Sequence, residues 1–169
     1  QYLSLQYLIL IMSAVVFMSL LCLGEALVSL LEEKLSKINA NEYLEQNYPQ
    51  NGVCRISENL YFNGLIFNNY NKKRIEITHL SVAHKGLSGT LDLSDFIQLE
   101  KFYCSGNQLI GLILPKNGKL KVLSCIGNQL TKLDLTKQIN LEILNCNNNR
   151  LIQLTLPNSD KLRELHCSS

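Results

Sequence analysis

The sequence predicts a repeat solenoid of the α/β type, in which a parallel sheet of short strands is preceded by a long N-terminal helix. Three observations support this fold class. Similar residues recur every 21 positions over the second half of the chain, and such an internal period is the mark of a solenoid. Apolar and polar side chains alternate within each unit, as in a half-buried strand. The first part of the chain is instead apolar or amphipathic at helical spacing.

The first element is an apolar segment over residues 1–24, which contains no charged side chain. Residues 3–24 are long enough to cross a bilayer, which takes about 20 apolar residues in a helix. Three interpretations stay open: a membrane helix or signal anchor, a signal peptide that starts at Met12, and a mispredicted extension or a helix buried elsewhere. We expect a single-pass membrane protein, with secreted and cytoplasmic locations as alternatives. Because the chain starts with Gln1 and stops inside a repeat, we expect a fragment.

The next two elements are an amphipathic helix over 25–48 and an N-terminal cap or linker over 49–76. We expect the helix to continue the apolar segment and to stop at Pro49, which Gln-Asn-Gly follows. The Asn-rich stretch after it predicts a short helix or irregular structure. Charged side chains face away from the apolar positions of the helix, which are Leu27, Leu30, Leu31, Leu35 and Ile38.

The fourth element is a set of repeats over residues 77–169, incomplete at the C-terminus. Each unit reads LxxLxCxxNxLxxLxLxxxxx. The first unit starts at Ile77, is one residue longer than the others, and has Lys85 where the others have Asn. The leucine columns contain Leu99, Leu120, Leu141 and Leu162; Leu109, Leu130 and Leu151; Leu112, Leu133 and Leu154; and Leu114, Leu135 and Leu156.

This repeat resembles the leucine-rich repeat family, in a 21-residue variant with Cys at the second LxL position, as in expanded fungal and some bacterial repeat proteins. The resemblance covers residues 77–169. It implies a horseshoe segment with a parallel sheet of about five short strands on its concave side. The alternation of apolar and polar residues places these strands near residues 78–83, 101–105, 122–126, 143–147 and 164–168.

The asparagine column of the repeat stands where the chain leaves each predicted strand, and it contains Asn107, Asn128 and Asn149. Backbone groups there have lost their sheet partners, and a carboxamide offers two donors and an acceptor. We therefore expect each amide to bond backbone of its own turn and of the neighbouring turn. The sequence predicts a structural role for this column.

The cysteine column contains Cys104, Cys125, Cys146 and Cys167. In-register strands point these side chains the same way, which disfavours a disulfide, and thiols spread along an axis cannot surround one zinc ion. A nucleophile would need a base beside it, whereas the inward neighbours are Leu and Phe. We expect the column to fill the core as small apolar side chains, with only Cys167 exposed at the end.

The outward residues of the predicted strands are the candidate partner-binding set, since solenoids bind through an extended concave surface. A neighbouring row alternates in charge and is expected to hold successive turns together; it contains Thr78, Glu100, Lys121, Glu142 and Arg163. The candidate set consists of Ser81, Tyr103, Ser124, Ile126, Ile143, Asn145, Asn147 and His166.

The functional expectation combines this surface with the exclusions that composition and motifs allow. A net charge of +2 gives no indication of a nucleic-acid partner, and no catalytic, metal-ligating or cofactor-binding motif is recognisable. The sequence predicts a non-catalytic leucine-rich-repeat interaction module, tethered to a membrane through residues 3–24, that binds a protein or peptide without a cofactor. The alternatives are a regulatory or sensor region of a larger signalling enzyme and a structural surface repeat protein.

Overall fold

A computed structural model describes residues 38–52, 59–62 and 65–168, which all belong to one compact unit. The predicted apolar segment and most of the predicted amphipathic helix lie outside these residues. Strand β1 (Ile38–Asn39) leads directly into helix α1 (Ala40–Asn47). The structure thus differs from the predicted helix at 38 and 39, which are extended. Two contacts account for this: residues 38 and 39 pair with Leu87 and Ser88, and the Asn39 side chain accepts hydrogen bonds from the Asn41 and Glu42 amides and caps the helix.

The segment between the helix and the repeats contains an antiparallel hairpin of β2 (Asn59–Phe62) and β3 (Leu65–Asn68), followed by a 3₁₀ turn at Arg74–Glu76. We expected a short helix or irregular structure here. The sequence does carry the hairpin signal, because Asn63-Gly64 separates two apolar runs.

The repeats form a solenoid of parallel strands, which confirms the repeat solenoid that the 21-residue period predicts. Two strands alternate along each turn. In chain order they are β4 (His79–Ser81), β5 (Leu87–Asp92), β6 (Lys101–Tyr103), β7 (Gln108–Ile113), β8 (Val122–Ser124), β9 (Lys132–Asp134), β10 (Ile143–Asn145), β11 (Gln153–Thr155) and β12 (Glu164–His166).

The even-numbered strands from β4 to β12 form one five-stranded parallel sheet in the order β12-β10-β8-β6-β4. Its register follows the repeat: Phe102 pairs with Leu123, and Leu123 pairs with Leu144. These three side chains point inward and have no exposed surface. The 21-residue period thus stacks equivalent leucines on one another, and burial of that stack drives the turns together.

Strands β1, β5, β7, β9 and β11 form a second set of parallel strands, the second ladder, which the sequence did not lead us to expect. One sheet has the order β1-β5-β7, and a separate sheet pairs β9 with β11. The pairing of β5 with β7 shifts register between Gly89 and Thr90. Leu87 and Leu91 are one residue further apart than Leu109 and Leu112 are. The residue that this shift leaves without a ladder partner is Ile110 of β7, between Leu109 and Gly111, so the irregularity is a bulge in the second turn and not the extra residue of the first unit.

The asparagine column bonds successive turns to each other. The carbonyl oxygen of Asn128 accepts a hydrogen bond from the Leu109 amide, in the preceding turn, at 3.0 Å. Its amide nitrogen donates to the Cys104 and Cys125 carbonyl oxygens, both at 3.0 Å. One side chain thus satisfies backbone groups of two turns, as the sequence led us to expect. Equivalent bonds are made by Asn107 and Asn149.

The residue before each position of this column has a left-handed backbone, which the sequence analysis missed. The φ angles are +55° for His84, +68° for Gly106, +63° for Gly127 and +54° for Asn148. Glycine adopts this conformation without strain, and Asn and His are enriched among the other residues that do. The Gly-Asn pairs at 106–107 and 127–128 were the available signal.

The cysteine column lies in the core, with its last member on the surface. Cys104, Cys125 and Cys146 are buried free thiols, whereas Cys167 is exposed. Burial raises the pKa of Cys125 to about 12 and raises the pKa of Cys104 and of Cys146 as well. Protonated thiols are poor nucleophiles and poor metal ligands at neutral pH.

Candidate binding surface

The candidate surface is the outward face of the five-stranded sheet, which we call the sheet face. Its central row is set by strand register. Ser81 pairs with Tyr103, Tyr103 with Ser124, Ser124 with Asn145, and Asn145 with His166. These five side chains therefore form one continuous line across the strands. The first four are partly exposed and His166 is exposed.

The remaining candidates lie on either side of this line. Ile143 pairs with Val122 and belongs to the row on the N-terminal side of the strands. Ile126 and Asn147 follow the ends of β8 and β10, where backbone bonding continues. The Gly106 amide donates to the Ile126 carbonyl oxygen at 2.8 Å, and the Gly127 amide to that of Asn147 at 3.0 Å. All three candidates are partly exposed, so the sheet face extends beyond the formal strand ends.

Some polar groups of the sheet face bond each other rather than facing solvent. The hydroxyls of Ser105 and Ser124 lie 3.0 Å apart. The Asn147 side-chain oxygen accepts from the Ser168 amide at 2.8 Å and from the Ser168 hydroxyl at 3.0 Å. Asn147 thus ties one turn to the next, a role that the sequence analysis did not assign to it. The side chains of Ile126 and Ile143 are apolar and form no hydrogen bonds. They offer apolar contact area to a partner instead.

Two ionisable groups on or beside this face have pKa values shifted towards their neutral forms. Burial raises the pKa of Tyr103, so the phenol stays protonated at neutral pH. Burial, and then the charge of Lys101, lowers the pKa of His79, whose Nδ1 lies 3.0 Å from the Thr78 hydroxyl. The candidate set itself contains no Asp, Glu, Lys or Arg, so it offers hydrogen-bonding and apolar side chains rather than a charged patch.

The alternating-charge row beside the face contains an ion pair between turns. Lys121 Nζ lies 2.8 Å from Glu100 Oε2. The hydrogen bond and charge of Glu100, and then the charge of Glu142, raise the pKa of Lys121. Both paired side chains are substantially exposed, so the pair contributes less than about 1 kcal/mol. Its geometry suits cross-strand pairing between turns.

At the other end of the solenoid, helix α1 packs on the first turn and Arg74 is its polar anchor. The guanidinium pairs with Glu45 at 2.8 Å and with Asp95 at 3.3 Å. It also donates to the Tyr48 carbonyl oxygen at 2.5 Å and lies 5.5 Å from the centre of the Phe96 ring. Its charge and donors are thus used within the protein, and sequence reasoning had assigned it no role.

Two surface cavities accompany these elements. A polar cavity of about 300 Å³ lies beside Arg74, between α1 and the first turn, and Asn41, Glu45 and Asp92 are among its lining residues. Asn41 is itself engaged there, since its side-chain oxygen accepts from the Asp92 amide at 2.9 Å. A second cavity of about 230 Å³ lies over β9 and β11. Among the described residues, no cluster of three or more His, Cys, Asp or Glu side chains is arranged to hold a metal ion.

Comparison with known proteins gave no match to a family model, to a curated protein or to a solved structure. The resemblance to leucine-rich repeats therefore rests on the residues of the repeat. In the part of the chain that the structure describes, no helix has the length and apolar character that crossing a membrane requires. The predicted membrane segment, residues 3–24, lies outside that part and stays a prediction.

Proposed function

We propose that residues 77–168 are a leucine-rich-repeat horseshoe segment whose sheet face is the concave side and binds a protein or peptide partner without catalysis. The observation that carries this proposal is the unbroken line of outward side chains across five in-register strands. Side chains at fixed strand spacing present a partner with a regular surface, and repeat proteins commonly bind through such surfaces.

The side chains on the face indicate what kind of contact the partner makes. Tyr103 and His166 combine a ring with a hydrogen-bonding group, and aromatic side chains concentrate binding energy at interfaces. Ile126 and Ile143 add apolar area on either side of them. A neutral, mixed-polarity partner surface suits this set better than a strongly charged one.

An interaction screen with matched variants tests the proposal. The full chain with Tyr103, Asn145 and His166 replaced by Ala should lose its partners, because the central row would then lack its largest contacts. The control replaces Lys132 and Gln153, exposed residues of the second ladder, and should keep the same partners. Retention of every partner by the sheet-face variant would rule out this site.

A further inference from the structure

The loops that follow the strands of the second ladder stack on one another and form an edge of the solenoid. We call the exposed part of residues 94–98, 115–119 and 136–140 the loop edge. The Asn117 side chain donates to the Ile97 carbonyl oxygen. The Gln138 side chain donates to the Pro115 carbonyl oxygen at 2.8 Å. Successive loops are thus bonded to each other, and each of the three is followed by a further described turn.

The loop edge carries like charges at equivalent positions. Lys116 and Lys137 are 21 residues apart, so they stand at the same place on neighbouring turns, and both are exposed. Lys119 adds a third exposed cation, whose Nζ lies 2.6 Å from Oε1 of the neutral Gln98. Like charges opposite each other on neighbouring strands destabilise a fold, whereas the alternating-charge row places opposite charges there. The lysines are therefore not explained by bonding between turns, and an anionic partner would relieve their repulsion.

Acidic side chains of the described residues leave most of this charge uncompensated. None of them forms an ion pair with the three lysines. Asp95 is the one acid within the three loops, and it pairs with Arg74 at 3.3 Å. Asp134 precedes the third loop; hydrogen bonds from Thr136, and then the charge of Lys137, lower its pKa. Asp134 thus offsets part of the charge of one lysine and leaves the other two.

Two exposed isoleucines lie on the same edge. Ile97 is 45% exposed and Ile139 is 53% exposed. Gly118 occupies the equivalent position on the turn between them, so no side chain separates the two. A Cβ atom at Gly118 would lie 3.1 Å from Ile139 Cγ1, which shows that Ile139 leans over the glycine. Exposed aliphatic side chains that are grouped on one surface indicate an interaction site.

We propose that the loop edge binds the surface of an anionic lipid bilayer, with the lysines among the headgroups and Ile97 and Ile139 at the acyl boundary. Lysines near an anionic leaflet are attracted to it, and aliphatic side chains gain free energy by leaving water. Nucleic acid is favoured by arginines and by exposed rings that stack on bases. The basic residues of these loops are all lysine, and their one aromatic side chain, Phe96, is buried. The site is separate from the sheet face and does not depend on residues 3–24.

A fluorescent label on the loop edge tests this proposal. The full chain is used with Cys22, Cys54 and Cys167 replaced by Ser, so that the remaining cysteines are buried thiols. Ile139→Cys carries an environment-sensitive dye, and the protein is mixed with vesicles of phosphatidylcholine, with or without phosphatidylserine. We expect a blue shift and a several-fold rise in emission with phosphatidylserine, and little change without it.

The matched control places the same dye on Ile152→Cys, which is 82% exposed and lies outside the loop edge. Its emission should stay unchanged with both kinds of vesicle. Because the two labels report on the same chain, any insertion of residues 3–24 affects both proteins alike. The difference between the labels therefore measures insertion of the loop edge.

Neutral substitutions test the role of the lysines in the labelled protein. Lys116→Gln together with Lys137→Gln should lower the ratio of inserted to free edge on the order of tenfold, since each lysine near an anionic surface contributes about fivefold. Lys132→Gln, an exposed position in β9, should leave the ratio unchanged. Circular dichroism checks that both variants stay folded.

The proposal is overturned if the label at position 139 gives no response, or if it responds equally to neutral vesicles. It is also overturned if the label at position 152 responds as strongly, or if the double lysine variant keeps the full response. A response to single-stranded DNA without any response to vesicles would assign the lysines to nucleic acid instead.

Discussion

The first and last turns of the described solenoid, residues 77–168, differ in how their apolar columns are covered. At the N-terminal end, α1 buries Ala40, Leu44 and Tyr48 against the first turn, and the Arg74 ion pairs hold the helix in place. At the C-terminal end, Leu165 and Leu156 are exposed. The comparison shows that the described turns bury their apolar columns where another turn or the N-terminal helix covers them.

The first turn is adapted to its cap by residues that break the repeat. Phe96 occupies a column that holds polar side chains in the later turns, where they bond the backbone of the preceding turn; these are Asn117, Gln138 and Ser159. Phe96 instead packs edge-on against Tyr48, with ring centres 6.2 Å apart. A degenerate unit at the covered end thus exchanges turn-to-turn bonds for contacts with the helix.

The largest expected difference along the solenoid is in thiol reactivity. At neutral pH, the exposed Cys167 should react readily with iodoacetamide, whereas the buried Cys125 should react much more slowly. The reason is that burial raises the Cys125 pKa from 9.0 to about 12, and thiolate is the reactive form. Peptide-resolved mass spectrometry over a time course measures both rates in one sample. Similar rates would mean that the core opens freely.

The next difference concerns leucines at the two ends. Leu44→Ala should lower the free energy of unfolding by about 2–5 kcal/mol, since it empties a fully packed site under α1. Leu165→Ala should cost less, on the order of 1 kcal/mol, because Leu165 is already 42% exposed to water. Urea unfolding of the full chain, followed by circular dichroism at low concentration, compares them. An equal loss would contradict the asymmetry of the ends.

The asparagine column should show a smaller gradient in the same direction. Asn128→Leu should cost about 1–3 kcal/mol, because it leaves buried backbone groups of two turns without partners. Asn149→Leu should cost less, since Asn149 is partly exposed and water can replace its bonds. The same unfolding measurement applies. If Asn149→Leu were the more damaging change, burial would not determine how much each asparagine contributes.

The smallest effect is expected from the surface ion pair between turns. A double-mutant cycle with Glu100→Gln and Lys121→Met should give a coupling of about 0.2–1 kcal/mol, because both side chains are exposed. Glu100→Gln should also lower the pKa of Lys121, which Glu100 raises. Unfolding at low and at 1 M salt measures the coupling, and NMR titration measures the pKa. A coupling that survives high salt would show a less solvated pair than the structure has.

The sequence predicted most about the repeats, because equivalent positions of successive units could be aligned with each other. The 21-residue columns predicted which residues stack, and the register of Phe102, Leu123 and Leu144 agrees with them. The positions of the central row followed from the same columns. The second ladder was not predicted, because the leucines in the second half of each unit have the same spacing in a strand and in an irregular return segment. Periodicity alone does not distinguish these two structures.

The N-terminal region was less predictable because it contains no repeat. The extended residues 38 and 39 depend on pairing with β5 and on the Asn39 cap, and helical spacing of leucines overrode both signals in the prediction. Arg74 is similar: its role depends on Glu45 and Asp95, which are distant in sequence and meet only in the folded chain. The hydrogen bond from the Ser168 amide to the Asn147 side chain was also not predicted, because the two residues meet only in the folded chain.

The residues with a left-handed backbone that precede the asparagine column restrict how the number of repeats could have increased by gene duplication. The His84 ring occupies the space into which a side chain at Gly106 would project, so a bulky residue in one turn requires glycine in the next. Gly127 meets only ordinary contacts from Gly106. A tandem duplication of the first turn would place one imidazole on another, whereas copying a glycine-bearing inner turn meets no such obstacle. Lengthening of the array by gene duplication is therefore permitted from its middle and opposed at its beginning.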